Sequence, residues 1–179
     1  MPNAILDPTG RARSAASSLR RAPRRDSLRG ATVGLLINTK QNARPFLDEV
    51  GRLLIERYGA AGVMAQTKIN FAQPEPEDKV KGMISGCDAI VTGVGDCGSC
   101  SASAIADGIA FEAAGLPAAV IVTDSFHATA DAMAELRGAP GYKYATTAHP
   151  VAVLTADQVK QRAAQVLDDV VALLTDAGA

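Results

Sequence analysis

The sequence predicts an α/β protein: a doubly wound, mainly parallel sheet of 4–5 strands with helices on both faces, a Rossmann-like three-layer architecture. Three observations predict it. Short apolar runs rich in β-branched residues alternate with longer stretches of helical period, as in Thr32 to Ile37 followed by Phe46, Val50, Leu53, Leu54 and Tyr58. Aromatic residues are only 4% of the chain and Trp is absent, so Ala, Val, Ile and Leu must fill the core. That composition suits strands covered on both sides. A glycine-rich turn, Thr92-Gly93-Val94-Gly95-Asp96-Cys97-Gly98-Ser99-Cys100-Ser101, also joins an apolar run to a helical one.

Taken in order, Thr32 to Ile37 is a first buried strand, and the helix after it ends at Gly59, a natural C-cap. Val63 to Ala65 is a second strand. Asn70 to Pro76 is a loop before a short helix from Glu77 to about Ile84, with Val80, Met83 and Ile84 inward. Ala89 to Val91 is the third strand, and the helix beyond the cysteine turn covers Ala102 to Glu112 and closes at Gly115-Leu116-Pro117. Ala118 to Thr123 is the fourth strand, followed by a helix from Ala128 to Leu136 and a weaker strand from Tyr142 to Thr146. Thr155 caps a last helix whose Val159, Ala163, Val166, Leu167, Val170 and Leu174 share one face. Ligands of such sheets collect beyond the carboxyl ends of the strands. Asn38, Lys40, Cys97, Asp124 and His149 all follow predicted strands and are expected to converge there.

The 179 residues fit two parts, an Arg-rich N-terminal arm over 1–30 and a single α/β domain over 31–179. A net charge of −1 hides an asymmetry, because residues 1–30 hold seven Arg against Asp7 and Asp26. The arm reads as solvated, or as a strap that wraps a neighbouring subunit or closes over a site. Nucleic acid is not expected, since no aromatic residues interleave with the arginines. No apolar run approaches a membrane span, and the arginines lack the apolar stretch of a secretory signal. Residues 11–29 share the Arg, Ser and Ala bias of a transit peptide, but Asp7-Pro8 and Pro23 interrupt it. Three cysteines make no secreted disulfide framework, so a cytoplasmic protein is expected.

Cys97 and Cys100 carry the strongest chemical signal. A Cys-x-x-Cys turn at a helix start sets sulfur beside free backbone N–H groups and the positive end of the helix dipole, which favours the reactive thiolate. Such a turn holds an attacking and a resolving thiol in dithiol oxidoreductases. The alternatives are half a zinc site, for which Cys87, His127 and His149 are the other candidates, or two structural thiols. Cys87 reads as structural. Asp96 could serve as acid or base beside the thiol, or simply form the turn; Asp107 reads as a helix residue facing solvent or as part of the site. Lys40 and Asn42 suit a substrate carboxylate or phosphate, Ser99, Ser101 and Asp124 are further substrate contacts, and His149 before Pro150 could shuttle a proton. His127 is the weaker histidine candidate. The glycines do not match the dinucleotide fingerprint, so neither NAD nor any other cofactor or metal is expected.

Gly95-Asp96-Cys97-Gly98-Ser99-Cys100 resembles the signature of the UGSC family, named for a selenocysteine-Gly-Ser-Cys motif, with Cys97 where some members carry selenocysteine. The resemblance runs almost end to end, through Leu6-Asp7-Pro8, Val33-Gly34-Leu35-Leu36, Lys40, Asn42-Ala43, Glu112, Gly115-Leu116-Pro117, Thr123-Asp124, Phe126 and His149-Pro150. It implies thiol- or selenol-based oxidoreduction. It also implies a distant similarity to the selenoprotein subunits of the glycine and proline reductases, which cleave a C–N bond reductively. The chain departs from the pattern over Ser101 to Asp107, where Thr-Ser-Trp-Ser-Val-His-Asp is expected: the aromatic residue and the histidine are gone and Asp107 remains.

The expected function is a cysteine-dependent enzyme acting on a small molecule, foremost a thiol oxidoreductase with Cys97 as nucleophile, Cys100 resolving, and N–H groups at Ser99 to Ser101 stabilising the anion. The alternatives are a lyase, hydratase or isomerase using both thiols without redox, and an accessory subunit of a hetero-oligomer with a related chain. A homo- or hetero-oligomer is expected in either case.

Overall fold

The computed structural model describes residues 21–175. Five strands, β1 (Thr32–Ile37), β2 (Gly62–Thr67), β3 (Ala89–Gly95), β4 (Ala118–Thr123) and β5 (Ala145–Thr147), alternate with α1 (Ala43–Tyr58), α2 (Glu77–Gly86), α3 (Gly98–Ala113), α4 (His127–Leu136) and α5 (Ala156–Leu174). The strands form one sheet in the order β2-β1-β3-β4-β5, every neighbouring pair parallel. This is a doubly wound order whose direction of winding switches between β1 and β3.

Alternation along the strands sorts the core into two layers. Val33, Leu35, Ile37 and Val91 face α1 and α5, where Phe46, Leu47, Leu53, Leu54, Val166, Leu167 and Val170 close over them. Val120 and Val122 face α3 and α4, while Leu36 and Ile90 pack with Val80 and Met83 of α2 and Phe111 of α3. β3 and β4 are buried at every residue, which explains why apolar residues fill both of their faces and why the two threonines, Thr92 and Thr123, are bonded to backbone carbonyls. Gly108 lets α3 lie close to the sheet: a Cβ there would stand 2.3 Å from Val120 Cγ2.

Most element expectations hold, and the departures have local causes. Residues 21–30 belong to the body rather than to a solvated arm. Arg24 makes a bidentate pair with Glu112 of α3, its Nε donates to Leu173 O at 3.1 Å, and Leu28 is buried in the α1/α5 layer. Arg25 forms a parallel bridge with Thr175. The rest of the expected arm lies outside the described residues. β5 begins at Ala145 rather than Tyr142, because Tyr142 and Tyr144 turn into the α3/α4 layer instead of extending the ladder. β2 runs on to Thr67, which carries Lys68 to the carboxyl edge of the sheet, and α3 starts at Gly98, four residues earlier than the pattern indicates. Thr155 caps α5 in a full capping box with Gln158. Among the described residues no helix is long and apolar enough to cross a membrane.

Candidate active site at the carboxyl edge of the sheet

The cysteine turn sits beside the switch point, at the end of the central strand. Cys97 is the N-cap of α3, in extended conformation, and its Sγ accepts from the Cys100 N–H at 3.3 Å. The two cysteines are joined by a disulfide, with their Cα atoms 5.2 Å apart. They are not equivalent: Cys97 is partly exposed, whereas Cys100 is 1% exposed. The Ser101 N–H and hydroxyl both bond to Cys97 O, at 2.9 and 2.8 Å, so Ser101 braces the turn and does not face a ligand. That bracing needs Gly95, where a Cβ would meet Ser101 Oγ at 2.7 Å. The free donors of the first turn are therefore the N–H groups of Gly98 and Ser99, one position earlier than the sequence indicates. The exposed Ser99 hydroxyl lies 3.6 Å from Cys97 Sγ.

Hydrogen bonds knit the neighbouring loops to this turn. Asn38, buried after β1, donates from Nδ2 to Val94 O at 2.7 Å. Asp96 Oδ2 accepts the N–H groups of Val151 and Ala152 at 3.0 and 2.8 Å. Its Oδ1 lies 2.9 Å from His149 Nδ1 without the alignment of a hydrogen bond, and no other group among the described residues bonds that buried oxygen. His149 Nδ1 also lies 3.2 Å from Thr123 Oγ1, and its ring meets Phe126 edge-on at 5.4 Å between centroids. The peptide bonds Gly93–Val94 and His149–Pro150 are cis. With Nδ1 bonded to Thr123, the Asp96 carboxylate beside it and the side chain 34% exposed, Nε2 is the ring nitrogen that faces a substrate. Asp96 is thus a bracket for the histidine loop. Asp124 has a related part, accepting the His149 N–H at 3.1 Å.

The predicted binding residues divide. Asn42, in left-handed conformation, spends its amide donors on the carbonyls of Val151, Ala152 and Leu154, at 2.8–3.2 Å. It shapes the loop rather than presenting a free donor to a ligand. Lys40 sits on the β1 side of the switch point with Nζ 4.0 Å above the Phe71 ring, a cation–π contact that leaves its N–H donors available. His127 stands apart, bonded to Thr146 Oγ1 at 3.2 Å and packed on Tyr144. Cys87 lies at the amino end of β3, opposite the cysteine pair, so it shares no site with Cys97 and Cys100. Burial, reinforced by Asp88, pushes its thiol up to about 11.

A buried polar cluster beneath the turn escaped the sequence reading. Lys68 and Asp107 form an ion pair whose side chains are 2% and 1% exposed. Lys68 Nζ also donates to Ser103 Oγ at 2.6 Å, and Ser103 donates to Gln73 O at 2.7 Å. Asp107 Oδ1 accepts the Glu75 N–H at 2.7 Å. Asp107 is therefore no solvent-facing helix residue; burial raises its carboxyl above the ordinary range, against the lowering effect of Lys68. The signal within reach was a helix with no polar stripe, since α3 buries Ser101, Ser103, Asp107 and Glu112 together. Ser103 is the residue that receives Lys68.

Comparison with known proteins agrees on family and is silent on activity. No curated protein matches the chain. Among solved structures it is similar to the flavodoxin-like domain of a Synechococcus sp. protein, at 16% identity over 76% of this chain and 90% of that one, with a TM-score of 0.39. The fold is defined by the strand order, not by that likeness. The model of the UGSC family matches residues 4–176. The cysteine turn and the residues that brace it fall inside that match, and the chain belongs to the UGSC family.

Proposed function

We propose that this chain is a thiol-dependent oxidoreductase of small molecules, with Cys97 as the nucleophile and Cys100 as the resolving thiol. The observation that carries the reading is the asymmetry of a joined pair at a helix N-terminus: Cys97 is accessible, Cys100 is not, and their Cα atoms are 5.2 Å apart. Approach from solvent meets Cys97 first.

In the reduced protein the Cys97 thiolate attacks atom X of a substrate X–Y bond. That bond breaks, Y leaves with the electron pair, and His149 Nε2, having taken the proton that the Cys97 thiol gave up on becoming the thiolate, passes it to Y. The Cys100 thiolate then attacks Cys97 Sγ and breaks the S–X bond, whose electrons leave with X; X takes the second proton. Two electrons have passed from the thiols to the substrate, and the Cys97–Cys100 disulfide remains. A dithiol reductant restores it and becomes a disulfide itself. The free N–H groups of Gly98 and Ser99 favour the Cys97 anion, and Lys40 suits an anionic group on the substrate.

The test follows alkylation of Cys97 against pH in the reduced wild type and in Cys100→Ser, then isolates the adduct during turnover. Half-maximal reactivity well below the ordinary ~8.5, a Cys97–substrate adduct that accumulates in Cys100→Ser, and a stoichiometric disulfide in wild type are expected. An unshifted, sluggish Cys97 would sink the reading.

One observation favours a second reading. Ala106 is buried where the family pattern places His, and Ser103 is committed to Lys68, so the chain could serve as an accessory subunit beside a complete relative. That reading expects co-purification with a related chain and no activity alone.

A further inference from the structure

Cys100 poses a problem that the proposed chemistry leaves open. It is 1% exposed, and removal from water normally drives a thiol towards its neutral form, yet resolution requires its anion. We propose that the buried ammonium of Lys68 favours the Cys100 thiolate, with Ser103 and Asp107 positioning that ammonium. The inference rests on the redox reading above.

The geometry is that of one helical face. Cys100, Ser103 and Asp107 stand at i, i+3 and i+7 of α3, and none is more than 3% exposed. Side chains on a helix lean towards its N-terminus, which sets the Ser103 hydroxyl on the Cys100 side of its own Cα, between Gln73 O and Lys68. It carries Lys68 Nζ with it, at 2.6 Å. Cβ atoms at i and i+3 are roughly 5–6 Å apart and the Cys100 sulfur is directed to Cys97, so the ammonium acts on it through its field rather than by a hydrogen bond. Asp107 lies a further turn down, about 10 Å along the axis from Cys100. The ion pair is therefore oriented, with its positive end nearer the thiol and its negative end further away. In a poorly hydrated interior that orientation adds to the positive end of the helix itself.

Burying both charges is costly, and a latch for the loop over residues 69–76 could be built from neutral groups. A tuned thiol accounts for the charge. The other charged groups around Cys100 face elsewhere. Lys40 of the β1–α1 loop lies over Phe71, Asp96 of the cysteine turn accepts from Val151 and Ala152, His149 of the β5–α5 loop bonds Thr123, His127 of α4 bonds Thr146, and Glu75 accepts from Gln66. Lys68 gives no proton in the resolving step. It favours the ionised sulfur, whose released proton is the one that X takes.

The test uses the reduced protein with Cys87→Ala and Cys97→Ser, so that Cys100 is the sole thiol, and titrates its thiolate by ultraviolet absorbance. Asp107→Asn leaves the cation uncompensated and should lower the midpoint by about one pH unit. Lys68→Gln with Asp107→Asn removes both charges and should raise it by about one unit above the parent, while Lys68→Arg should titrate near the parent. Circular dichroism identifies any variant that fails to fold, and the remaining variants still decide the sign. A merely structural cluster would move both neutralised variants the same way or not at all, and either result would overturn the proposal. The titration is read in the resting protein. Absence of a turnover-linked disulfide would thus remove the redox reading without altering these midpoints.

Discussion

His149 reaches the carboxyl edge as a ring already oriented. Thr123 bonds Nδ1 with the Asp96 carboxylate beside it, Phe126 meets the ring in a T-shaped contact, and Asp124 fixes the backbone behind it. Holding one ring nitrogen sets the tautomer and leaves the other for proton transfer. Replacement His149→Ala should keep the fold, because the side chain is one-third exposed, and under the proposed thiol chemistry should lower turnover by roughly 10²–10⁴-fold, the usual worth of a positioned general acid. The check is kcat against pH with KM measured alongside. An unchanged kcat would remove His149 from the reaction. Legibility at this scale followed distance along the chain. The cysteine pair announced itself through local spacing, and His149 through its neighbour Pro150. Lys68 gave no sign, because its partners Ser103 and Asp107 lie 35 and 39 residues away. Asn42 misled for the same reason: it looks like a loop donor, but its donors belong to carbonyls about 110 residues further on.

At the scale of elements, α3 does the most varied work. Its start presents the thiols, its middle holds Asp107, and its end anchors the segment before β1. Glu112 accepts from Arg24, from the Ala22 N–H at 2.7 Å and from the Ala118 N–H at 3.0 Å, with its side chain 1% exposed. Breaking such a pair leaves a buried, uncompensated charge. Glu112→Ala should therefore cost about 3–5 kcal/mol in urea unfolding, and Arg24→Met with Glu112→Leu much less. Equal losses would show that packing, not charge, holds the segment. The elements themselves were largely visible, because β-branched runs, Gly59 and the Thr155 cap act within a few residues. The segment over 21–30 was not. Its arginines form no apolar period, and their role depends on a carboxylate some 88 residues distant.

At the scale of the molecule, the parallel order was legible from the alternation of strand and helix, while strand neighbours such as β4 and β5 became visible only as pairings. One property belongs to the whole fold. Burial and carboxylate partners raise Tyr142, Tyr144 (to about 12) and Cys87 (to about 11), and the Asp168 carboxylate raises Tyr58. In the unfolded chain these groups ionise first, at about 8.5 for a thiol and 10 for a phenol. Unfolding then releases protons, so stability should fall as pH rises from about 8.5 towards 12. Urea midpoints measured across that range check the sign; a flat profile would show that these groups do not resist ionisation in the fold.

The bridge between Arg25 and Thr175 has a consequence of its own. Positions 150 residues apart in covalent order are immediate neighbours in space, each secured to the same edge of the body. The fold is thus almost a closed ring, and linear order is only one way to thread it. A chain joined across that seam and reopened in the exposed turn around Gly138 would keep every strand neighbour and the whole thiol edge, and would sever only the covalent link from α4 to β5. Cutting at the seam through Arg24 would instead remove a buried charge from beneath α3.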